Sequence, residues 1–123
     1  MPRQIQIQNQ SRALEQPLLV DYCESFFCRL RGLTFRNRIA MDKGLLLVQR
    51  REARLDAAIH MLAVFTDLAV FWISADRTVV DAVHAKAWHL AYFSKCPAKY
   101  VLEIHPNRIT DFEIGDKLTF IND

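Results

Sequence analysis

The fold this sequence predicts is a small α+β one: a curled, mostly antiparallel sheet, open and barrel-like, with one clear α-helix near the N-terminus. Three observations predict it. About seven short segments rich in Val, Ile, Leu and Phe are separated by brief turn signals, the pattern of strands that lie close in sequence. Residues 22–31 instead space their apolar side chains for a helix. Gly and Pro are scarce, three and four among 123 residues, so no long linker is expected and residues 1–123 read as a single domain.

The strongest apolar signal is 59–73, IHMLAVFTDLAVFWI, interrupted only by His60, Thr66 and Asp67. Its β-branched and aromatic content favours two buried strand segments that meet near Thr66-Asp67. It is too short to span a bilayer, which takes about 20 apolar residues. Around it, the N-terminal Ile5 and Ile7 alternate with Gln4, Gln6 and Gln8, a strand with one wet face. Pro17 closes the next loop, and Leu18-Leu19-Val20 is a short apolar entry to the helix.

The helix is predicted over 22–31 from its caps and its stripe. Asp21 reads as the N-cap, and Glu24 follows three residues later in a capping-box-like arrangement. Tyr22, Phe26 and Leu30 fall on one face, Arg29 and Arg31 favour the negative end of the helix dipole, and Gly32 suits a left-handed C-cap. Residues 33–44 read as an irregular loop and 45–48 as a strand. The highly charged 49–56, QRREARLD, reads as an exposed turn or short helix.

Beyond the central run, 75–78 is a turn and 79–83 (VVDAV) a strand with room to continue to Trp88. Pro97 breaks any helix near it. Residues 100–104 (YVLEI) form a strand that carries Glu103, and His105-Pro106-Asn107 turns away from it. Ile109, Phe112 and Ile114 are expected to pack loosely, Gly115-Asp116 to turn tightly, and 117–121 (KLTFI) to form the last strand.

Charge and cysteine content bound the function classes. The net charge is +2, but 29–54 holds eight basic residues against Asp42 and Glu52, so it carries +6 and the remainder −4. Such a face could dock an acidic protein partner; the plainer reading is a solvated surface with arginines at a helix end. No nucleic-acid-binding signature accompanies the charge, so nucleic acid is not an expected partner. The three cysteines, Cys23, Cys28 and Cys96, include no CxxC pair and read as reduced thiols. The opening MPRQIQIQNQ has no apolar leader segment. With no membrane span, the expected location is cytoplasmic.

The order of motifs resembles the uncharacterised domain-of-unknown-function family 192. The resemblance rests on Gly32-Leu33-Thr34-Phe35-Arg36, Lys43-Gly44-Leu45-Leu46 and Ile59-His60-Met61, then Thr66-Asp67-Leu68 with Phe71-Trp72-Ile73. Tyr100-Val101-Leu102-Glu103 and Gly115-Asp116 complete it, so it runs from about Cys23 to Phe120. It implies a small, sheet-rich α+β domain with no established activity, some of whose members are exported. Thr34 stands where the family has Met, Ile59-His60 where it has Phe-Trp, and His105-Pro106-Asn107 where it has an aliphatic-small-Gly turn. Where an aromatic pair lines a family pocket, these departures imply a smaller, more polar pocket here.

Arg36, His60, Asp67 and Glu103 are the candidate ligand-binding residues, because each is a polar group embedded in an apolar motif. Arg36 could clamp an anion and Asp67 bind a hydroxyl; the structural alternative is an internal ion pair, or a carboxylate that accepts backbone N–H bonds at a kink. Neither His60, His84, His89 nor His105 stands at a metal-ligand spacing from another histidine or a cysteine, so no metal or other cofactor is expected. No nucleophile motif, phosphate loop or dinucleotide glycine pattern is present. The expectation is a non-catalytic domain that binds a small polar or anionic ligand in a cleft near Arg36, His60 and Asp67. A protein-interaction module using the basic face of 29–54 is the alternative, and a hydrolase-type enzyme comes third.

Overall fold

The computed structural model describes residues 3–24, 39–53, 67–87, 92 and 94–122, with backbone alone for 50–53. They form seven strands: β1 (Gln4–Asn9), β2 (Leu19–Cys23), β3 (Lys43–Ala53), β4 (Leu68–Ile73), β5 (Val79–Ala85), β6 (Ala98–Ile104) and β7 (Leu118–Asn122). They make one sheet in the order β5-β4-β6-β3-β2-β1-β7. The β2–β3 pair is parallel and every other pair antiparallel.

The sheet curls until its two edges meet. Thr78, just before β5, bridges to Lys117, just before β7. Backbone bonds extend that seam: Leu118 N–H donates to the Arg77 carbonyl at 2.8 Å, Val79 N–H to Asp116 at 2.9 Å and Gly115 N–H to Val79 at 2.7 Å. The seam satisfies backbone groups that an open edge would leave bare. The turn before it needs a left-handed residue, and Gly115 supplies it with φ of 99°.

Period-two alternation sorts the side chains to two sides. Ile5, Ile7, Val20, Leu46, Phe71, Val79, Leu102 and Leu118 belong to one buried cluster to which all seven strands contribute, the inside of the curl. Phe112 packs edge-on against Phe71 with ring centroids 5.0 Å apart and closes that interior. The alternate residues Leu45, Leu47, Leu68, Val70, Trp72 and Val101 form a second buried cluster on the outer side of β3, β4 and β6. All six residues of β4 are therefore buried, which is why its sequence is continuously apolar.

Several expectations are corrected. Among the described residues there is no α-helix; the one helical turn is the 3-10 segment Pro106–Arg108. The sequence reading of an α+β fold with an N-terminal helix gives way to a sheet. The overturning residues are Asp21, Tyr22 and Cys23, which pair with Leu45, Leu46 and Leu47 in β2. Capping is worth about 1 kcal/mol, and a strand that hydrogen-bonds to neighbours on both sides outweighs it. Tyr22 N–H donates to the Arg3 carbonyl at 2.7 Å, and the Arg3 guanidinium lies 4.3 Å from the Tyr22 ring centre. Residues 25–31 of the expected helix lie outside the described residues.

The expected turn or short helix over 49–56 is also corrected for 49–53, where β3 runs on to Ala53 with a register shift against β6 after Val48; 54–56 lie outside the described residues. Phe112 is buried rather than loosely packed. Cys23 is disulfide-bonded while Cys96 is free, which corrects the reading of all three cysteines as reduced thiols. Spacing along a chain does not measure distance across a fold. The strands expected at Ile5 and Ile7, at 45–48, at 79–83, at 100–104 and at 117–121 are present, as is the second half of the central run.

One buried cation organises the loops at the end of the curl. The Arg108 side chain is 2% exposed. Its Nη1 donates to the carbonyls of Pro17 (3.0 Å) and Met41 (2.9 Å), its Nη2 to Gln16 (2.7 Å) and its Nε to Asp111 (2.6 Å). Arg108→Leu strands those acceptors and should lower the unfolding free energy by about 3–5 kcal/mol, read as a shift of the urea midpoint; an unchanged midpoint would show that Arg108 is dispensable.

Candidate functional site

Glu103 sits on β6 in the middle of the sheet. Across β3 it faces Leu45, and across β4 it faces Val70. Alternation puts its side chain on the outer side with Val101, where Leu45, Leu47, Val70 and Trp72 are buried around it. The residue is 5% exposed. No described residue donates a hydrogen bond to its carboxyl. Burial pushes its pKa up to about 7, with no charge among the described residues contributing. A carboxyl in that state is part protonated near neutral pH and can donate or accept.

The backbone under Glu103 is fixed by a close approach. Gly44 pairs with Ile104, and a Cβ on Gly44 would stand 2.7 Å from the Glu103 carbonyl oxygen and 2.7 Å from Ile104 Cγ2. Glycine at this point lets β3 and β6 draw together beside the carboxyl.

A second polar side chain is buried further along β3. Gln49 lies four residues along β3 from Leu45 and is 4% exposed. Its Nε2 donates to the Ala98 carbonyl at 3.0 Å, and its Oε1 is buried with no partner. Sequence reasoning missed it, because QRREARLD reads as a charged, exposed stretch.

Of the predicted site residues, the structure describes Asp67 and Glu103; Arg36 and His60 lie outside the described residues. The two described carboxylates do not converge. Asp67 precedes β4 and ties it to the end of β5: it accepts the Ala87 N–H at 2.9 Å and pairs with His84 Nε2 at 2.9 Å. The Ala87 N–H first, and His84 second, hold its pKa below the usual carboxylate value. That is the structural alternative named for Asp67. Glu103 has as its β4 neighbours Leu68, Val70 and Trp72 instead. Only 39–53 of the basic stretch 29–54 is described.

A polar cleft of about 430 Å³ opens elsewhere, between Gln6–Asn9 of β1 and 13–17 of the following loop. Strands β2 and β3 separate it from β6, so it is not the Glu103 site. Among the described residues no helix is long and apolar enough to cross a membrane.

Comparison with known proteins places these features in a wider set. The sequence profile of DUF192, described as an uncharacterized ACR, matches residues 6–120. A UPF0127 protein of Thermococcus gammatolerans is 34% identical over 103 residues, 82% of this chain and 65% of that protein, so the match spans just under two thirds of the relative. A UPF0127 protein of Pyrococcus abyssi is 28% identical over 92% of this chain and 95% of its own length. Two crystal structures share the fold. A “putative transcription regulator” from Sinorhizobium meliloti superposes with a TM-score of 0.81 at 21% identity, covering 98% of this chain and 94% of that one. A protein of unknown function from Novosphingobium aromaticivorans gives 0.79 at 18% identity, covering 94% and 83%.

Two outcomes follow from the Glu103 environment. Its folded-state pKa of about 7 lies above the ordinary 4.5, so the protonated form is favoured by folding. Its contribution to stability is whole below the ordinary value and is lost as pH rises towards 7. The difference corresponds to about 3 kcal/mol. Unfolding free energy should therefore fall between about pH 5 and about pH 8, and Glu103→Gln should flatten that fall; superimposable wild-type and variant profiles would refute it. Gly44→Ala should destabilise by about 1–3 kcal/mol through the forced separation of β3 and β6, measured by thermal unfolding, and an unchanged midpoint would count against the close approach.

Proposed function

The chain belongs to the DUF192 family, whose activity is uncharacterised, and we propose that it is a small-ligand-binding domain in which Glu103 is the buried anchor. One observation carries this reading: a carboxyl 5% exposed on a central strand, between Leu45 and Val70, with no donor among the described residues. Burying such a group without a partner costs several kcal/mol. A ligand that brings a donor would recover that energy as affinity.

The reading keeps the polar ligand of the sequence expectation but narrows it. A ligand that donates hydrogen bonds suits Glu103, whereas an anion would meet a like charge. The anchor moves from Asp67, which is engaged by Ala87 and His84, to Glu103. The role proposed is binding: among the described residues no second titratable group acts on Glu103.

A thermal-shift screen against amines, sugars, nucleotides, phosphates and carboxylates tests this. A ligand at about 100 times its dissociation constant adds about 2.7 kcal/mol, which for a chain of this length moves the midpoint by about 10 °C. The expected hit is a hydrogen-bond donor whose shift is lost in Glu103→Gln while the fold survives. A panel in which no shift depends on residue 103 would overturn the reading.

A further inference from the structure

Strands β1 and β2 pair along only part of β1. Gln4, Ile5 and Gln6 stand opposite Asp21, Val20 and Leu19. Tyr22 N–H donates to the Arg3 carbonyl at 2.7 Å and Ile7 N–H to the Leu18 carbonyl at 2.9 Å, so the odd residues of β1 turn their backbone groups towards β2. The even residues serve β7, as the Gln10 N–H on the Lys117 carbonyl at 2.8 Å shows. Asn9 is the next odd residue, and the register would set Gln16 opposite it. That rung is not made. The Gln16 carbonyl goes to Arg108 Nη2 at 2.7 Å and the Pro17 carbonyl to Nη1 at 3.0 Å, and proline has no N–H to offer.

The ladder therefore opens where Arg108 holds the loop carbonyls, and the opening is the cleft of about 430 Å³ between Gln6–Asn9 and 13–17. Three backbone groups face it by parity: the Ile7 carbonyl, the Asn9 N–H and the Asn9 carbonyl. None of them makes a hydrogen bond among the described residues. An acceptor, a donor and an acceptor in line are what a neighbouring strand uses. The cleft also carries a charge preference. Of its lining residues Glu15 alone is ionisable, and its side chain is exposed. Arg12, the nearest basic residue in sequence, is engaged by Glu113 at 2.9 Å and Asp116 at 3.6 Å.

We propose that this cleft binds an extended peptide segment with a basic side chain, added as a short strand beside Asn9. The peptide main chain donates to the Ile7 carbonyl and accepts from the Asn9 N–H, and its cationic group lies towards Glu15. Strand addition draws affinity from main-chain bonds and selectivity from the side chains around them. The cleft lies in the size range of small-ligand sites, roughly 300–1,000 Å³, which suits about three residues, roughly 10 Å when extended. It is a second site, independent of the one at Glu103.

Isothermal titration calorimetry with the tripeptide acetyl-Lys-Val-Lys-amide tests this, beside copies N-methylated at each residue in turn and a copy with norleucine for both lysines. The lysine peptide should bind wild type saturably. Alternate N–H groups of a strand face the same neighbour, so methylation at valine and at the lysines should differ. The paired position should lose about tenfold, the worth of one neutral hydrogen bond. Norleucine should weaken binding about threefold, as loss of an exposed ion pair does. Glu15→Gln, a change to an exposed loop side chain, should make the lysine and norleucine peptides equal without weakening the norleucine one. No saturable binding of the lysine peptide, or one affinity shared by the parent and all its methylated copies, would overturn the strand pairing. Equal binding of lysine and norleucine peptides to wild type would overturn the basic partner. Sedimentation of the chain alone covers the other occupant: a dimer that the lysine peptide dissociates would put a second copy in the cleft and overturn the peptide partner.

Discussion

The guanidinium of Arg108 holds three stretches of chain that are far apart in sequence. The carbonyls of Gln16 and Pro17 belong to the approach to β2, that of Met41 to the approach to β3, and Asp111 to the loop after β6. The approaches to β2 and β3 also touch directly, through the Leu19 N–H on the Asp42 carbonyl at 2.9 Å. These are the strands of the parallel pair, which no tight turn can join. A planar fork of donors suits this duty because its geometry is rigid and its charge cannot be lost by deprotonation. Asp111 lies partly in solvent and neutralises the charge at low desolvation cost.

With the parallel pair fixed, β3 can bind β2 on one side and β6 on the other, and β6 can bind β4. The sheet's middle then has both faces covered, and alternation along β3, β4 and β6 feeds two clusters at once. The inner cluster closes because the edges meet at Thr78–Lys117. Asp116 buttresses that seam: its carboxylate accepts the Asn9 side-chain amide and the Glu113 N–H, both at 2.8 Å, and Arg12 lies 3.6 Å away. Burial pushes Asp116 towards protonation, and those donors more than offset it, so it stays ionised.

The strands were legible in the sequence where one face is wet or the run is wholly apolar. Ile5 and Ile7 alternate with glutamines because β1 has a solvated outer side, and 68–73 is unbroken because β4 has none. The N-terminal helix was misread because Asp21, Glu24 and the Tyr22 stripe are local signals, whereas β2 is held by Arg3, Lys43 and Leu45, whose proximity no local pattern encodes. The charged look of 49–53 hid the end of β3 for the same reason. Arg108 went unnoticed because its acceptors are backbone carbonyls as many as 92 residues away, which leave no trace in side-chain identity. Glu103 was visible, since a lone acid in a strand of Tyr, Val, Leu and Ile is a conflict the sequence itself displays. Asp67 looked the same from sequence but proved to be engaged by the end of β5.

The treatment of buried charge elsewhere in the molecule gives that conflict its weight. Four charged side chains are buried among the described residues: Asp81, Glu103, Arg108 and Asp116. Asp81 accepts the N–H groups of Ala82 at 2.9 Å and Lys95 at 2.7 Å. Arg108 and Asp116 each have three or more partners. A chain that satisfies three of its four buried charges so fully is able to satisfy the fourth, by one threonine or asparagine across from Glu103. It places Leu45 and Val70 there instead. Among the described side chains the Gln49 Oε1 is also buried without a partner. Replacing buried charged residues by well-packed apolar ones is often neutral or stabilising, which is why the glutamate supports the binding role proposed above.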